Sequence, residues 1–136
     1  MKKIFYFVVA MAATVGLWSC AESESDKVRA TAGEIVQGVI DKDFAGVVDH
    51  FDIPDSTKEG KDRKKLYVNI FEQKVGDEKL PKHWVSYEIT EDSIFDNGKK
   101  AIVYYDATYD DGSKDLHMKI DLAKNDKGEW KIPDLK

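Results

Sequence analysis

Residues 101–122 read AIVYYDATYDDGSKDLHMKIDL. Ala101, Val103, Tyr105, Ala107 and Tyr109 alternate with Ile102, Tyr104, Asp106 and Thr108. Asp111-Gly112 interrupts, and Leu116, Met118, Ile120 and Leu122 then alternate with His117, Lys119 and Asp121. A period of two broken by Asp-Gly predicts two antiparallel strands joined in a hairpin. The same period lies upstream, where Val85, Tyr87 and Ile89 alternate with Trp84, Ser86, Glu88 and Thr90 before a turn at Asn97-Gly98. Downstream, Asn125 to Gly128 form another turn, and Glu129 to Ile132 make a short last strand ended by Pro133. Four strands in a meander, with the first-named residues of each strand on the apolar face, need helices to cover that face.

Three helices are expected ahead of the strands. Val28, Ala32, Ile35, Val36, Val39 and Ile40 recur at helical spacing, with Ser25 or Asp26 placed to cap the start. Gly33 and Gly38 weaken that helix and mark places where another element comes close. Asp43 is placed to cap a short second helix carrying Phe44, Val47, Val48 and Phe51. Phe51 to Pro54 read as an extended link, because proline disfavours helix in the residue before it. Ser56 and Glu59 match a capping box for a third helix with Leu66, Tyr67, Ile70, Phe71 and Val75 on one side and Gly76 as its stop. Helices followed by an antiparallel meander define an α+β domain of three helices packed on a curved four-stranded sheet.

The chain opens differently. Lys2-Lys3 precede an uncharged run from Ile4 to Trp18, and Ser19 stands directly before Cys20, the one cysteine of the 136-residue sequence. That is the layout of a secretory signal peptide, and the run is shorter than the roughly 20 apolar residues that span a bilayer. Leu17 to Cys20 resemble a lipobox, although Trp18 is bulky for that place. The resemblance implies removal of residues 1–19 and lipidation of Cys20, leaving residues 20–26 as an acidic tether and 27–136 as a single domain. Several acyl chains on one cysteine give a lasting anchor at about 0.8 kcal/mol per buried CH₂. The acidic stretch from Glu22 to Asp26 is similar to the surface-export signal of Bacteroidetes-type lipoproteins. The expected address is therefore the bacterial envelope, at the outer membrane.

Charge and cysteine usage exclude several functions. Without Lys2 and Lys3 the chain holds 19 basic and 26 acidic residues. No basic stripe offers itself to nucleic acid. With Cys20 acylated no thiol remains for disulfides, cysteine-bound zinc or cysteine catalysis. His50, His83 and His117 lack a metal-ligand spacing. Asp110 to Asp115 lack the oxygen ligands of a calcium loop at the required positions and read as a hairpin turn. No metal or cofactor is expected.

The order of elements resembles the cone-shaped fold of nuclear transport factor 2-like proteins. Residues 35–51, IVQGVIDKDFAGVVDHF, are similar to the opening of small bacterial lipoproteins of that fold near the lumazine-binding-like group, and Trp130 in the closing strand also fits. Lys42 stands where those proteins often carry glycine. The resemblance spans Asp26 to Ile132. It implies relatives that include isomerases, dehydratases and pure binding domains, so activity must be argued from the site.

Enzymes of the resembled fold keep a carboxylate, a histidine or paired tyrosines inside the cone. The alternation places Tyr87, Tyr105 and Tyr109 inward with no carboxylate, and Asp106 and His117 outward. Asp49-His50 is the one adjacent pair with the chemistry of a general base, set against a helix end where histidine suits the dipole. No catalytic residue is assigned. Tyr87, Tyr105, Tyr109, Phe44, Phe51, Phe71 and Trp130 are candidate pocket lining for a small apolar or peptide ligand, set against their being plain core. Trp84, Ile102 and Tyr104 are a candidate outer-face interface for a homodimer or an envelope partner, since proteins of the resembled fold often dimerise there. The leading expectation is a lipid-anchored, non-enzymatic binding module. The alternatives are a small acid–base enzyme using Tyr and Asp/His, and a structural assembly protein. Cys20→Ala should abolish incorporation of labelled palmitate and release the protein from the membrane fraction on gradient flotation.

Overall fold

Ser23, Asp43 and Thr57 each start a helix by accepting a backbone N–H three residues on, at 3.1, 3.2 and 3.0 Å from Asp26, Gly46 and Gly60. The resulting helices are α1 (Glu24–Ile40), α2 (Phe44–Val48) and α3 (Lys58–Lys74). They precede β1 (Trp84–Phe95), β2 (Lys100–Tyr109), β3 (Lys114–Lys124) and β4 (Trp130–Lys131). The structure is a computed structural model that describes residues 23–133. The signal segment, Cys20 and its lipidation lie outside the described residues.

Two helix starts differ from expectation. Thr57, not Ser56, is the cap of α3, because it is the residue with extended backbone before Gly60. Glu24, Ser25 and Asp26, expected in the tether, form the first turn of α1 instead. Acidic side chains suit a helix N-terminus, and Glu24 also gains partners on the sheet.

The strands form one antiparallel sheet in the order β1-β2-β3-β4. Along the central strand β2, Ala101, Val103, Tyr105 and Ala107 are buried and their neighbours are not, as the alternation predicts. The core joins Val28, Ala32 and Ile35 of α1 to Ala101, Val103 and Leu122 of the sheet. Each fully buried aliphatic side chain of this kind contributes about 1.5–3 kcal/mol. Trp130 and Phe51 close the core at the sheet's edge, where Phe51 forms a single parallel bridge with Ile132. Lys42 accepts a left-handed backbone, with φ 61°, at the turn between α1 and α2. The expected turns at Asn97-Gly98, Gly112 and Gly128 likewise carry positive φ.

Three register shifts decide which side chains face the helices. They lie between Trp84 and Ser86, between Ile89 and Glu91, and between Tyr105 and Ala107 opposite Asp115 to Met118. An extra residue in one strand reverses the faces beyond it. Trp84 therefore shares the inner face with Tyr105, their rings 5.9 Å apart, while Val85 is exposed. Asp92 turns inward opposite Val103. Asp115 turns inward opposite Ala107, and Leu116, expected in the core, is 64% exposed. His117 absorbs the third shift with φ 58° and donates its backbone N–H to Asp106 at 3.0 Å.

Gly60 shows how tightly α3 is fitted. It is the buried residue of that helix, and a Cβ there would overlap the backbone carbonyl oxygen of Pro54. Neither atom belongs to a flexible side-chain end, so the link to α2 would have to move. Gly60→Ala should cost about 1–3 kcal/mol despite its better helix propensity, read as a lowered midpoint in urea denaturation.

Candidate functional site

The register shifts bring two carboxylates to the inner face, where the alternation places none. Asp92 accepts hydrogen bonds from the Ser25 hydroxyl at 2.9 Å and the Arg29 guanidinium at 2.5 Å. Its side chain is only 9% exposed. Asp115 accepts from the Trp84 indole at 3.1 Å and the Tyr109 hydroxyl at 2.6 Å through the same oxygen, Oδ2. Burial, and then the nearby Asp115 charge, push the Tyr105 hydroxyl up to about 12. The hydrogen bond to Asp115 raises Tyr109 as well. Both phenols stay neutral at physiological pH, and each carboxylate is engaged by donors fixed in the chain.

The aromatics proposed as pocket lining close on one another. Phe44 stacks on Phe71 at 5.8 Å, and Phe51 meets Tyr67 at 5.4 Å and Phe71 at 6.2 Å. Phe44, Phe51, Tyr105 and Trp130 are buried. Their surfaces are spent on packing with one another and with α1, which makes them core. Tyr87 and Tyr109 remain half-buried; the Tyr87 ring packs beside Gly33 of α1.

The expected outer stripe is also divided. Ile102 and Tyr104 do face outward, between Ser93 and Asp121 and between Glu91 and Lys119. The Tyr104 ring meets His117 edge-on at 5.3 Å. Trp84 is absent from this face, because the first register shift turns it inward. What remains is a short apolar patch flanked by charges.

Asp49 and His50, adjacent in sequence, point to different partners. Asp49 lies 3.5 Å from the Lys64 ammonium, and the His50 ring lies 3.4 Å from Glu34. Burial lowers the His50 pKa, so its neutral form prevails at neutral pH. The pair does not form a dyad. His83 sits with its ring nitrogen 2.9 Å from the Asp77 carbonyl oxygen. The Asp111 carboxylate accepts from the Ser113 hydroxyl and backbone N–H at 2.6 and 2.9 Å, as a hairpin turn requires. Among the described residues no group of three or more His, Cys, Asp or Glu is placed to hold a metal ion.

The open concavities lie outside the core, in a place not foreseen from sequence. One of about 460 Å³ runs between α2 and α3, with Ala45, Val48 and Val68 on its walls and Glu72 at its end. The other, about 760 Å³, runs between the 51–56 link and the β3–β4 turn. They meet at Asp49 and Lys64, which line both. Lys64 is largely covered there, with 17% of its side chain exposed. Burial alone would lower its pKa, but ion pairs with Asp55 and Asp49 raise it. Asp55 is lowered in turn, chiefly by its hydrogen bond from Lys64. The Lys131 ammonium donates to the Asp49 carbonyl at 3.0 Å and braces the same junction. The trough thus offers an apolar stretch beside fixed charges of both signs. Asp49, Asp55 and Lys64 are brought together only by the fold of the 51–56 link.

Comparison with known proteins adds the fold. No protein-family model matches the chain, and no curated protein does. Several solved structures are similar, these two among them. A provisionally assigned NTF2-like transpeptidase from Campylobacter jejuni is 18% identical, with a TM-score of 0.55 over 79% of this chain and 97% of that one. A ketosteroid isomerase-like protein from Erwinia carotovora atroseptica is 15% identical, with a TM-score of 0.53 over 83% of this chain and 94% of that one. The fold is that of nuclear transport factor 2-like proteins: helices packed on a four-stranded antiparallel sheet.

One wall of the trough is secured at the start of α1. Glu24 pairs with Lys124 at 2.9 Å and accepts from the Trp130 indole at 3.1 Å. Hydrogen bonds from Lys124, and then Lys27, hold its carboxyl down at about 2, against an ordinary 4.5. The unfolded chain therefore takes up the proton first, and the stabilisation is full above about pH 4.5 and lost as pH falls towards 2. Glu24→Gln should lower the thermal midpoint at pH 7. Melting curves of the two proteins should converge between those pH values.

Proposed function

We propose that this protein is a lipid-anchored envelope module that binds a peptide segment of a partner protein in the α2–α3 trough and carries out no chemistry of its own. The observation that carries this reading is the engagement of the inward polar groups. Asp92 is tied to Arg29 and Ser25, and Asp115 to Trp84 and Tyr109. A general base must be free to take a proton from a bound substrate, and each of these carboxylates already holds two donors of the chain on one oxygen, Oδ1 of Asp92 and Oδ2 of Asp115. The aromatic side chains that would cradle a small apolar ligand are packed against one another.

The trough has the opposite character. It is open, its volumes suit a bound side chain or short segment, and its charges are held in place. Apolar Val48 and Val68 lie beside Lys65, Asn69 and Glu72, so one strip of surface presents both contact area and hydrogen-bonding groups. An extended peptide carries both kinds of group along its length. The anchor follows from the signal and lipobox pattern ending at Cys20.

A photo-cross-linking residue placed at Asn69 or at Asp126 in the full chain, in its own membrane, tests the reading. Both positions should yield an adduct of the same mass, while Glu88 on the outer sheet face should yield none. An adduct from Glu88 alone would move the binding surface to the sheet and sink the trough assignment.

A further inference from the structure

The start of α1 is close to the proposed lipid. Ser23 is the N-cap of α1, so only Ala21 and Glu22 separate the helix from Cys20. Whatever path those two residues take, the steps from Cys20 to Ser23 span at most about 11 Å. The acylated cysteine itself sits in the headgroup layer. On the lipid-anchor reading of Cys20, the folded domain begins within one short step of the membrane surface.

That beginning is fixed to a particular end of the sheet. Glu24 pairs with Lys124 at the end of β3 and with Trp130 at the start of β4. Ser25 and Arg29 reach Asp92, near the end of β1. The Lys124 backbone N–H donates to the Lys99 carbonyl in the β1–β2 turn at 2.9 Å. The α1 start, the β1–β2 turn and the β3–β4 turn thus form one end of the molecule. Phe95 is 44% exposed at that end, opposite Lys100 in the register. A half-exposed aromatic ring beside lysines is a composition suited to the headgroup layer. The other end, with Asp110 to Ser113, lies about 30 Å away along β2.

We infer that the domain stands on the membrane by this end, with the β1–β2 turn and Phe95 against the lipid headgroups and the Asp111-Gly112 turn pointing away. The inference rests on the lipid-anchor reading of Cys20. It goes beyond that reading by naming the surface that meets the bilayer. The short covalent step sets the orientation. Net charge adds little, because Glu24 and Asp96 pair with Lys124 and Lys100 at the same end.

The test uses the full chain, purified from membranes and returned to vesicles of phosphatidylethanolamine and phosphatidylglycerol that carry nitroxide on a fraction of the headgroups. With Cys20 acylated, a fluorophore attaches to a single introduced thiol, Lys99→Cys or Asp110→Cys. Quenching should be several-fold stronger at position 99 than at 110. Insertion of a flexible Gly-Ser segment between Ala21 and Glu22 should level the two. Mass spectrometry of the N-terminal peptide reads the anchor separately. An acylated chain with equal or reversed quenching overturns the orientation alone. A contrast that survives the longer tether overturns the short step as its cause. An unacylated terminus overturns the anchor and the orientation together.

Discussion

The close crossing of α1 over the sheet is the constraint from which the rest of the arrangement follows. Ala32 and Gly33 are buried at the crossing, and a Cβ on Gly33 would come within 3.0 Å of the Tyr87 hydroxyl. Ala32 shares the core with Ala101 of β2, and Gly33 leaves room for the Tyr87 ring of β1, so the helix sits close to the sheet. At that separation the long side chains of α1 reach past the crossing to fixed partners. Arg29 reaches Asp92, and Glu24 reaches Lys124 and Trp130. A methyl group at position 33 would meet the Tyr87 hydroxyl first, so that side chain would have to give way.

The core is also closed from the side. Aromatic residues of α2, of the 51–56 link and of α3 complete it. Phe44, Phe51 and Phe71 do so by packing on one another. A carboxylate turned into such an interior is costly unless hydrogen-bonded. Asp92 and Asp115 each have two donors. These bonds tie α1 to β1 and β1 to β3.

Much of this was legible in the sequence, for physical reasons that differ by element. The alternation of β2 survives intact because that strand has neighbours on both sides and a buried face along its whole length. The turns at Asn97-Gly98 and Gly112 were legible because positive φ strongly favours these residues. Trp84, Asp92 and Asp115 were not. Each lies beyond a register shift, and a shift leaves no mark in a pattern of apolar and polar residues except a short local disagreement. At 84–85 and 115–116 that disagreement was present, with an exposed Val85 and Leu116 exchanging places with Trp84 and Asp115. The trough was illegible for another reason. Asp49, Asp55 and Lys64 come from three separate elements, and no periodicity links them.

Outside the packed core, the periphery is not uniform. The trough ends at the β3–β4 turn, where Lys124 to Lys127 form part of its wall. Lys124 is also the residue that Glu24 holds at the start of α1. The two features therefore share one wall, and the latch between Glu24 and Lys124 shapes both. If Cys20 carries lipid, one mouth of the trough opens beside the headgroups, and the other, between α2 and α3, opens along the flank of the domain. A partner segment approaching from above would enter by the flank and run towards the membrane. Lys64 stands braced between Asp49 and Asp55 where the two concavities meet.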